Sequence, residues 1–274
     1  MPLPSHGANA HQLYQRLNIP IPEMVIDFSE NVNPLGPPDF VRDQWESYAN
    51  LITKYPDPYG EPFLSAAAMY HGVSLKQILI GNGAAEIFAS IAIRYQHKKV
   101  VIIHPTFSEY EATIRPYGAV IKEIIAISSL PMNEVLSAVE NADVLYICRP
   151  NNPTGYLVPL EEIIQIATAA KRHDCDLVLD EAFLDFIEEQ ESFIPYLSDF
   201  PNVIVVRSMT KMYAIPGLRL GYAVAGKATI DDIRSRLPHW NSNALATTIG
   251  AQCFKEEEYR QHAIHVAQKA RSYF

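Results

Sequence analysis

Runs of apolar residues alternate with amphipathic segments along most of the chain. Continuous Val, Ile and Leu runs predict buried strands in QILIGNG, KVVIIHP, AVIKEIIAI, ADVLYICRP, CDLVLDEAF and NVIVVRSM. Apolar residues recur at helical spacing in AAEIFASIAIRYQ and PLEEIIQIATAAKRHD. The alternation predicts an α/β domain with a mainly parallel central sheet and helices on both faces. A last run, LRLGYAVA, follows too closely for a crossover helix, so we expect an antiparallel strand.

The first 60 residues follow a different pattern. They are rich in Pro, Asn and Tyr and show little helical or strand periodicity. We expect mostly loops, which must pack on the rest of the protein or build a site.

Composition narrows the classes of partner. The chain has 274 residues and a net charge of −9 with no basic block, which argues against nucleic acid or an anionic membrane. Cys148, Cys175 and Cys253 lack CxxC spacing, so we expect neither a disulfide framework nor a zinc or other metal site. No secretory signal and no run of membrane-spanning length is visible, so a soluble, cytoplasmic protein is expected.

Small and polar residues follow the predicted strands. Ligands of open α/β sheets bind beyond the carboxyl ends of the strands, so these residues should meet at one edge. The segment GNGAAE opens a helix whose free amide groups can bind phosphate, although it lacks the third glycine of a dinucleotide fingerprint. Ser208, Thr210 and Arg219 can add donors to the same anion.

The other candidate residues each have an ordinary interpretation as well as a chemical one. Asp180 ends an apolar strand, where a carboxylate is costly without a cation, but strand-end aspartates also face water. Phe107 can be a core aromatic, Asn152 a turn former and Lys211 a surface lysine. Together, an amine, a carboxylate, an aromatic ring and a phosphate cup are the set that binds pyridoxal 5′-phosphate.

A series of motifs carries a family resemblance over residues 6–243. In order, YPDP, GNGAAE, PTF, NNPTG, DEAF, SMTK and GLRLGY resemble the fold-type I pyridoxal phosphate enzymes, the aspartate aminotransferase superfamily. The resemblance implies that Lys211 and Asp180 are catalytic, as the Schiff-base amine and the partner of the pyridine nitrogen. It also implies that the cofactor is held by Gly83, Ala84, Ala85, Phe107, Asn152, Ser208, Thr210 and Arg219, besides Asp180 and Lys211.

The resemblance also implies a domain organisation and a homodimer with shared active sites. An N-terminal arm with part of a small domain is expected over 1–50, the cofactor-binding large domain over 51–250, and the start of the helix leading to a C-terminal small domain over 251–274. In this superfamily the arginine that binds the substrate carboxylate lies in that last domain, which we expect to be missing or incomplete here. Arg149, before NNPTG, is a weak candidate for an extra anion contact.

Within the superfamily, the sequence is similar to the branch that contains histidinol-phosphate aminotransferase and L-threonine-O-3-phosphate decarboxylase. HGAN, DFSENVNPLGPP and WNSNALA resemble the decarboxylase, and Phe183 in DEAFLDF stands where aminotransferases of this branch usually have tyrosine. The resemblance implies that a small phosphorylated amino acid is bound by His6, Gly7, Asn9, Asn31 and the partner's Tyr55.

Three functions therefore stay open. The expected one is decarboxylation of L-threonine O-3-phosphate to (R)-1-amino-2-propanol O-2-phosphate in cobalamin biosynthesis. The alternatives are a histidinol-phosphate aminotransferase of histidine biosynthesis and a truncated, non-catalytic protein that binds pyridoxal phosphate.

Overall fold

The protein is built on one twisted seven-stranded sheet. The computed structural model describes residues 7, 9–188 and 192–273. The strands are β1 (Ile78–Asn82), β2 (Lys99–His104), β3 (Val120–Ile125), β4 (Val144–Cys148), β5 (Asp176–Asp180), β6 (Val203–Ser208) and β7 (Leu220–Val224). Their order across the sheet is β1-β7-β6-β5-β4-β2-β3.

Strand β7 alone runs against the direction of its neighbours in this sheet. It pairs antiparallel with both β1 and β6, with Ala223 opposite Leu79 on one side and Val206 on the other. The pairs from β6 through β5, β4 and β2 to β3 are parallel. The predicted fold class, a mainly parallel sheet with an antiparallel last strand, is therefore confirmed.

Helices cover both faces of the sheet, because the chain must return from the end of one strand to the beginning of the next parallel strand through a crossover connection. In chain order, the helices of the described residues are α1 (Ala10–Leu17), α2 (Asp39–Asp43), α3 (Trp45–Tyr48), α4 (Phe63–His71), α5 (Ala84–Arg94), α6 (Glu109–Ile114), α7 (Met132–Val139), α8 (Leu160–Arg172), α9 (Lys227–Arg234), α10 (Ala244–Cys253) and α11 (Glu257–Arg271), of which α1 contains no buried residue. No helix among the described residues is long and apolar enough to cross a membrane.

The core has two layers, one on each side of the sheet. Successive strand residues alternate between them: Leu145 belongs to the layer that includes residues of α4, α7, α8 and α10, and Tyr146 to the layer that includes residues of α5, α6 and α9. Both layers reach the carboxyl ends of the parallel strands, so the polar residues beyond those ends stand on a rigid base.

The N-terminal segment contains more helix than its sequence pattern predicts. Three short helices, α1 to α3, form before residue 49, although most of the described residues of this segment lie in loops and turns, as expected. Local caps stabilise α1: the Asn9 side chain accepts from the amide of Gln12, and the left-handed Asn18 ends the helix.

At the other end of the chain, the expected boundary between residues 250 and 251 falls inside α10. The three-part division of the chain stays a prediction.

Candidate active site

A cavity of about 600 Å³ opens at the carboxyl ends of the parallel strands. The structure brings together all the residues expected to hold a cofactor, and they line this cavity: Gly83, Ala84, Ala85, Phe107, Asn152, Asp180, Ser208, Thr210, Lys211 and Arg219. All but Arg219 follow or end a strand, and Arg219 precedes the antiparallel β7, whose first residue pairs with the last residue of β1 at the same edge. Residues far apart in sequence therefore meet there.

Asp180 is a buried carboxylate at the end of β5. The hydroxyl of Tyr110 donates to its Oδ2 at 2.5 Å, and the amide of Ala182 donates to Oδ1 at 2.9 Å. Burial nevertheless raises the pKa of Asp180 to about 6, because desolvation outweighs these hydrogen bonds and the charge of Lys211. No described residue forms a salt bridge with it, so a cationic group bound in the cavity would stabilise its charged form.

Lys211 lies three residues beyond the end of β6, and its amine faces the same cavity. Burial, followed by the positive charge of Arg219, lowers the pKa of this amine below its ordinary value. A lower pKa increases the neutral, nucleophilic fraction at neutral pH. Its backbone is held in place, since the carbonyl of Lys211 accepts from the amide of Asn33 at 3.1 Å.

An anion cup lies at the beginning of α5. Gly83 has a φ of 78° and gives α5 no side-chain cap, so the first amide groups of the helix remain available to a ligand. A Cβ at Gly83 would lie 2.5 Å from Nη2 of Arg219, so only glycine lets this guanidinium pass so closely. The hydroxyls of Ser208 and Thr210 lie 2.8 Å apart beside them.

The remaining walls combine aromatic and polar groups. Phe107 packs edge-on against Phe88 and Tyr110, with ring centroids 6.4 and 5.7 Å away. The hydroxyl of Thr106 is buried without a hydrogen-bond partner and lines the cavity, so a bound polar group can satisfy it. Amine, buried carboxylate, aromatic wall, anion cup and free hydroxyl together fit pyridoxal 5′-phosphate.

The residues expected to bind a substrate are only partly assembled. Gly7 and Asn31 line the cavity, whereas His6 lies outside the described residues. The side-chain oxygen of Asn9 caps α1 instead of facing the cavity. Tyr55 is 86% exposed and does not line the cavity of its own chain; its ring lies tilted against that of Trp240, with the centroids 5.5 Å apart.

The weak candidate Arg149 does not reach the cavity. Its side chain is buried, and its Nε donates to the carbonyl of Val158 at 2.9 Å. Within the described part of the chain, Arg219 is the one arginine that lines the cavity.

Two functional candidates escaped the sequence analysis. Tyr110 holds Asp180, but at three residues beyond Phe107 on a short helix it reads as an ordinary core aromatic. Thr106 reads as part of a turn after β2. Neither residue type carries a signal of its own: Tyr110 gains its role from Asp180 on β5, and Thr106 gains its role from its place on the cavity wall.

Comparison with known proteins extends these observations. Residues 23–273 match the family model described as aminotransferase class I and II. Threonine-phosphate decarboxylase of Salmonella typhimurium is 35% identical over 267 residues, which are 95% of this chain and 73% of that protein. Histidinol-phosphate aminotransferase of Oleidesulfovibrio alaskensis is 32% identical over 97% of this chain and 71% of its own. The crystal structure of L-threonine-O-3-phosphate decarboxylase from Porphyromonas gingivalis superimposes with a TM-score of 0.78 at 28% identity, covering 88% of this chain and 72% of that one.

Proposed function

The chain belongs to the class I and II aminotransferase family, and we propose that it decarboxylates L-threonine O-3-phosphate to (R)-1-amino-2-propanol O-2-phosphate in cobalamin biosynthesis. The observation that carries the proposal is the 35% identity to a threonine-phosphate decarboxylase over 95% of the chain. The cofactor of the family, and of this chain, is pyridoxal 5′-phosphate.

The cofactor supplies an electron sink for a bond broken at the substrate Cα. The residues of the cavity would divide its binding between them. The amides of Ala84 and Ala85, with Ser208, Thr210 and Arg219, would hold the phosphate, because helix amides, hydroxyls and a guanidinium all donate to a dianion. Phe107 would stack on the ring and Asn152 would donate to its phenolic oxygen.

Two ionisable groups would perform the acid–base work. Asp180 would hold the proton at the pyridine nitrogen, since an ion pair with that nitrogen offsets the desolvation that raises the pKa of the free carboxyl to about 6. The neutral amine of Lys211 would bind the cofactor covalently and move a proton at the substrate Cα.

Phe183 supports the choice of decarboxylase over aminotransferase. It lines the cavity but has no hydroxyl, so it cannot donate to the phenolic oxygen as a tyrosine would. Asn152 then stands as the donor to that oxygen, which changes the charge distribution in the ring. The bond that breaks is selected by the orientation of the substrate, so the residues that clamp its phosphate and carboxylate decide the outcome.

The substrate phosphate would be held by the N-terminal arm. Gly7 and Asn31 line the cavity and support this role, and His6 is proposed from the resemblance. Asn9 is a weaker candidate, since its side-chain oxygen already caps α1. Tyr55 would reach the site of a partner subunit, which agrees with its exposure.

The competing function is histidinol-phosphate aminotransferase, which the 32% identity to such an enzyme favours. Purified protein with bound cofactor is incubated with phosphothreonine in the absence of an oxo-acid, and released CO2 is measured. We expect stoichiometric CO2 and aminopropanol phosphate. Amino transfer from histidinol phosphate to 2-oxoglutarate without CO2 release would support the aminotransferase. No turnover with either substrate, while the cofactor stays bound, would support the non-catalytic protein.

A further inference from the structure

Three potential metal ligands meet beside the outer edge of the sheet, apart from the cavity. His104 ends β2, Glu123 lies on β3 and Glu111 lies on α6, and their ligand atoms all lie within 4.8 Å of one another. We call these three residues the His104 cluster. None of them lines the cavity.

The register of the sheet explains why they converge. Glu123 pairs with Ile102, and His104 lies two residues farther along β2, so both side chains point to the same face. Helix α6 packs on that face through Tyr110 and Ile114, which brings Glu111 over the strand pair. The ligands come from three separate elements, so no motif in the sequence announces them, and the expectation of no metal site rested on cysteine spacing alone.

The geometry of His104 suits a metal better than a hydrogen bond. Its Nε2 is buried and has no hydrogen-bond partner. The nearest carboxylate oxygen of Glu111 lies 3.7 Å away, which is too long for a hydrogen bond. Two ligands of a tetrahedral zinc ion, each bonded at about 2.1 Å, lie about 3.4 Å apart. A small adjustment therefore places both atoms on one ion.

The charges of the cluster favour a cation. Glu111 and Glu123 bring two negative charges, and among the described residues no hydrogen bond or ion pair engages the side chain of Glu123. The guanidinium of Arg115 pairs with Glu111 and is the competing cation. It is largely exposed, on the outer end of α6, so it can swing away into solvent.

We propose that the His104 cluster binds a divalent transition metal ion, for which zinc is the best match. One imidazole and two carboxylates are common zinc ligands, whereas magnesium and calcium prefer oxygen alone. A bound ion would tie β2, β3 and α6 together. It would thereby brace the connection between β2 and α6, residues 105–108, which carries Phe107 into the cavity.

The test is calorimetric titration with zinc chloride of cofactor-saturated protein that has been freed of metal by a chelator. We expect one zinc ion per chain, and no comparable binding of magnesium. Glu123→Gln, at an exposed position, and His104→Asn should each weaken zinc binding at least tenfold. Arg115→Gln removes the competing cation and should strengthen it. Glu134→Gln makes the same charge change on α7, at the opposite face of the sheet, and should leave it unchanged.

Zinc should also raise the melting temperature of the wild-type protein and not that of Glu123→Gln. Absence of zinc binding by the wild type overturns the proposal, as does binding that is equally tight in Glu123→Gln and His104→Asn. Melting of each variant without zinc shows whether it is folded, so that loss of zinc binding is distinguished from loss of the fold.

Discussion

The side chains of Lys211 and Asp180 are both largely buried. Burial lowers the pKa of Lys211 and raises the pKa of Asp180, and each shift favours the uncharged form. For Lys211 the shift favours the neutral amine, which is the form that attacks a carbonyl. For Asp180 it means that the cofactor-free protein carries a carboxylate that is costly to ionise. We therefore expect the buried carboxylate to lower the free energy of unfolding of the cofactor-free protein, although it contributes to binding of the cofactor.

The substitution Asp180→Asn tests whether the buried carboxylate destabilises the cofactor-free protein at neutral and alkaline pH. Burial raises the pKa of Asp180 from 3.8 to about 6, so the fold binds this proton more tightly than the unfolded chain and loses stability as pH rises between these values. Cofactor-free Asp180→Asn should thus be more stable than the wild type by about 1–3 kcal/mol at pH 8, and the difference should shrink toward pH 4. Thermal denaturation across this pH range measures it.

The same substitution should weaken cofactor binding, because asparagine cannot pair ionically with the pyridine nitrogen. Asp199→Asn, at an exposed aspartate, is the matched control and should change neither property. An Asp180→Asn variant that is less stable than the wild type at pH 8, and that binds the cofactor normally, would place the carboxylate in a purely structural role.

At the residue scale, sequence reasoning finds groups whose chemistry is distinctive and misses those whose role depends on a neighbour. Lys211, Asp180 and Arg219 are charged residues in apolar surroundings, so each attracts attention. Tyr110 does not, because nothing in its own segment shows that its hydroxyl meets Asp180, 70 positions away. The opposite happens at Asn9. The resemblance implies a role in substrate binding, whereas its side-chain oxygen caps helix α1.

At the scale of elements, the contact between β7 and the beginning of α5 shapes the anion cup. Gly221 lies on β7, and a Cβ there would run into the amide nitrogen of Ala84. The strand can approach the helix this closely only because the residue is glycine. The close approach fixes the amides of α5 beside Arg219. Arg219 is the last residue of the short connection between β6 and β7.

Gly221→Ala should therefore push α5 away from the sheet. We expect a loss of about 1–3 kcal/mol in the free energy of unfolding from overpacking, and weaker binding of the cofactor through its phosphate. Denaturant unfolding and cofactor titration measure the two effects. Gly226→Ala is the control, because the nearest atom to its added Cβ would lie at an ordinary 3.8 Å. If the folded Gly221→Ala variant binds the cofactor with unchanged affinity, the close contact between β7 and α5 does not shape the anion cup.

Most strands and their helices were predictable because continuous Val, Ile and Leu runs are buried on both faces of a parallel sheet, whereas the edge strand β3 is largely exposed. The antiparallel β7 was predictable from the short connection alone. The helices α1 to α3 were not, because they are short and bury little: α1 contains no buried residue. Such helices depend on caps and on packing against other parts of the protein, which periodicity does not register.

At the scale of the whole molecule, the N-terminal segment leaves many apolar side chains in water. Leu17, Ile19, Ile26 and Phe28 are each at least half exposed, with Phe28 reaching 86%. A single chain gains nothing from this arrangement, whereas a second copy that packs against the segment would bury it. The exposed Tyr55 agrees with a site completed across such an interface.

Mixing two inactive variants tests this shared site. Lys211→Ala removes the amine from its own site, and Tyr55→Phe would remove the hydroxyl that we propose for the partner's site. A hybrid dimer then contains one site with both lesions and one with neither, so activity should reappear on subunit exchange. If exchange is demonstrated by mass spectrometry and the mixture remains inactive, Tyr55 does not act across the interface.

The proposed chemistry requires Lys211 to hold pyridoxal phosphate in this cavity. Borohydride reduction of the purified protein, followed by peptide mapping, tests it most directly, because reduction fixes the cofactor on the lysine that holds it. We expect a single modified lysine, Lys211, and loss of the visible cofactor absorption in Lys211→Ala. A modified lysine elsewhere in the chain, or an unchanged absorption band in Lys211→Ala, would contradict the account.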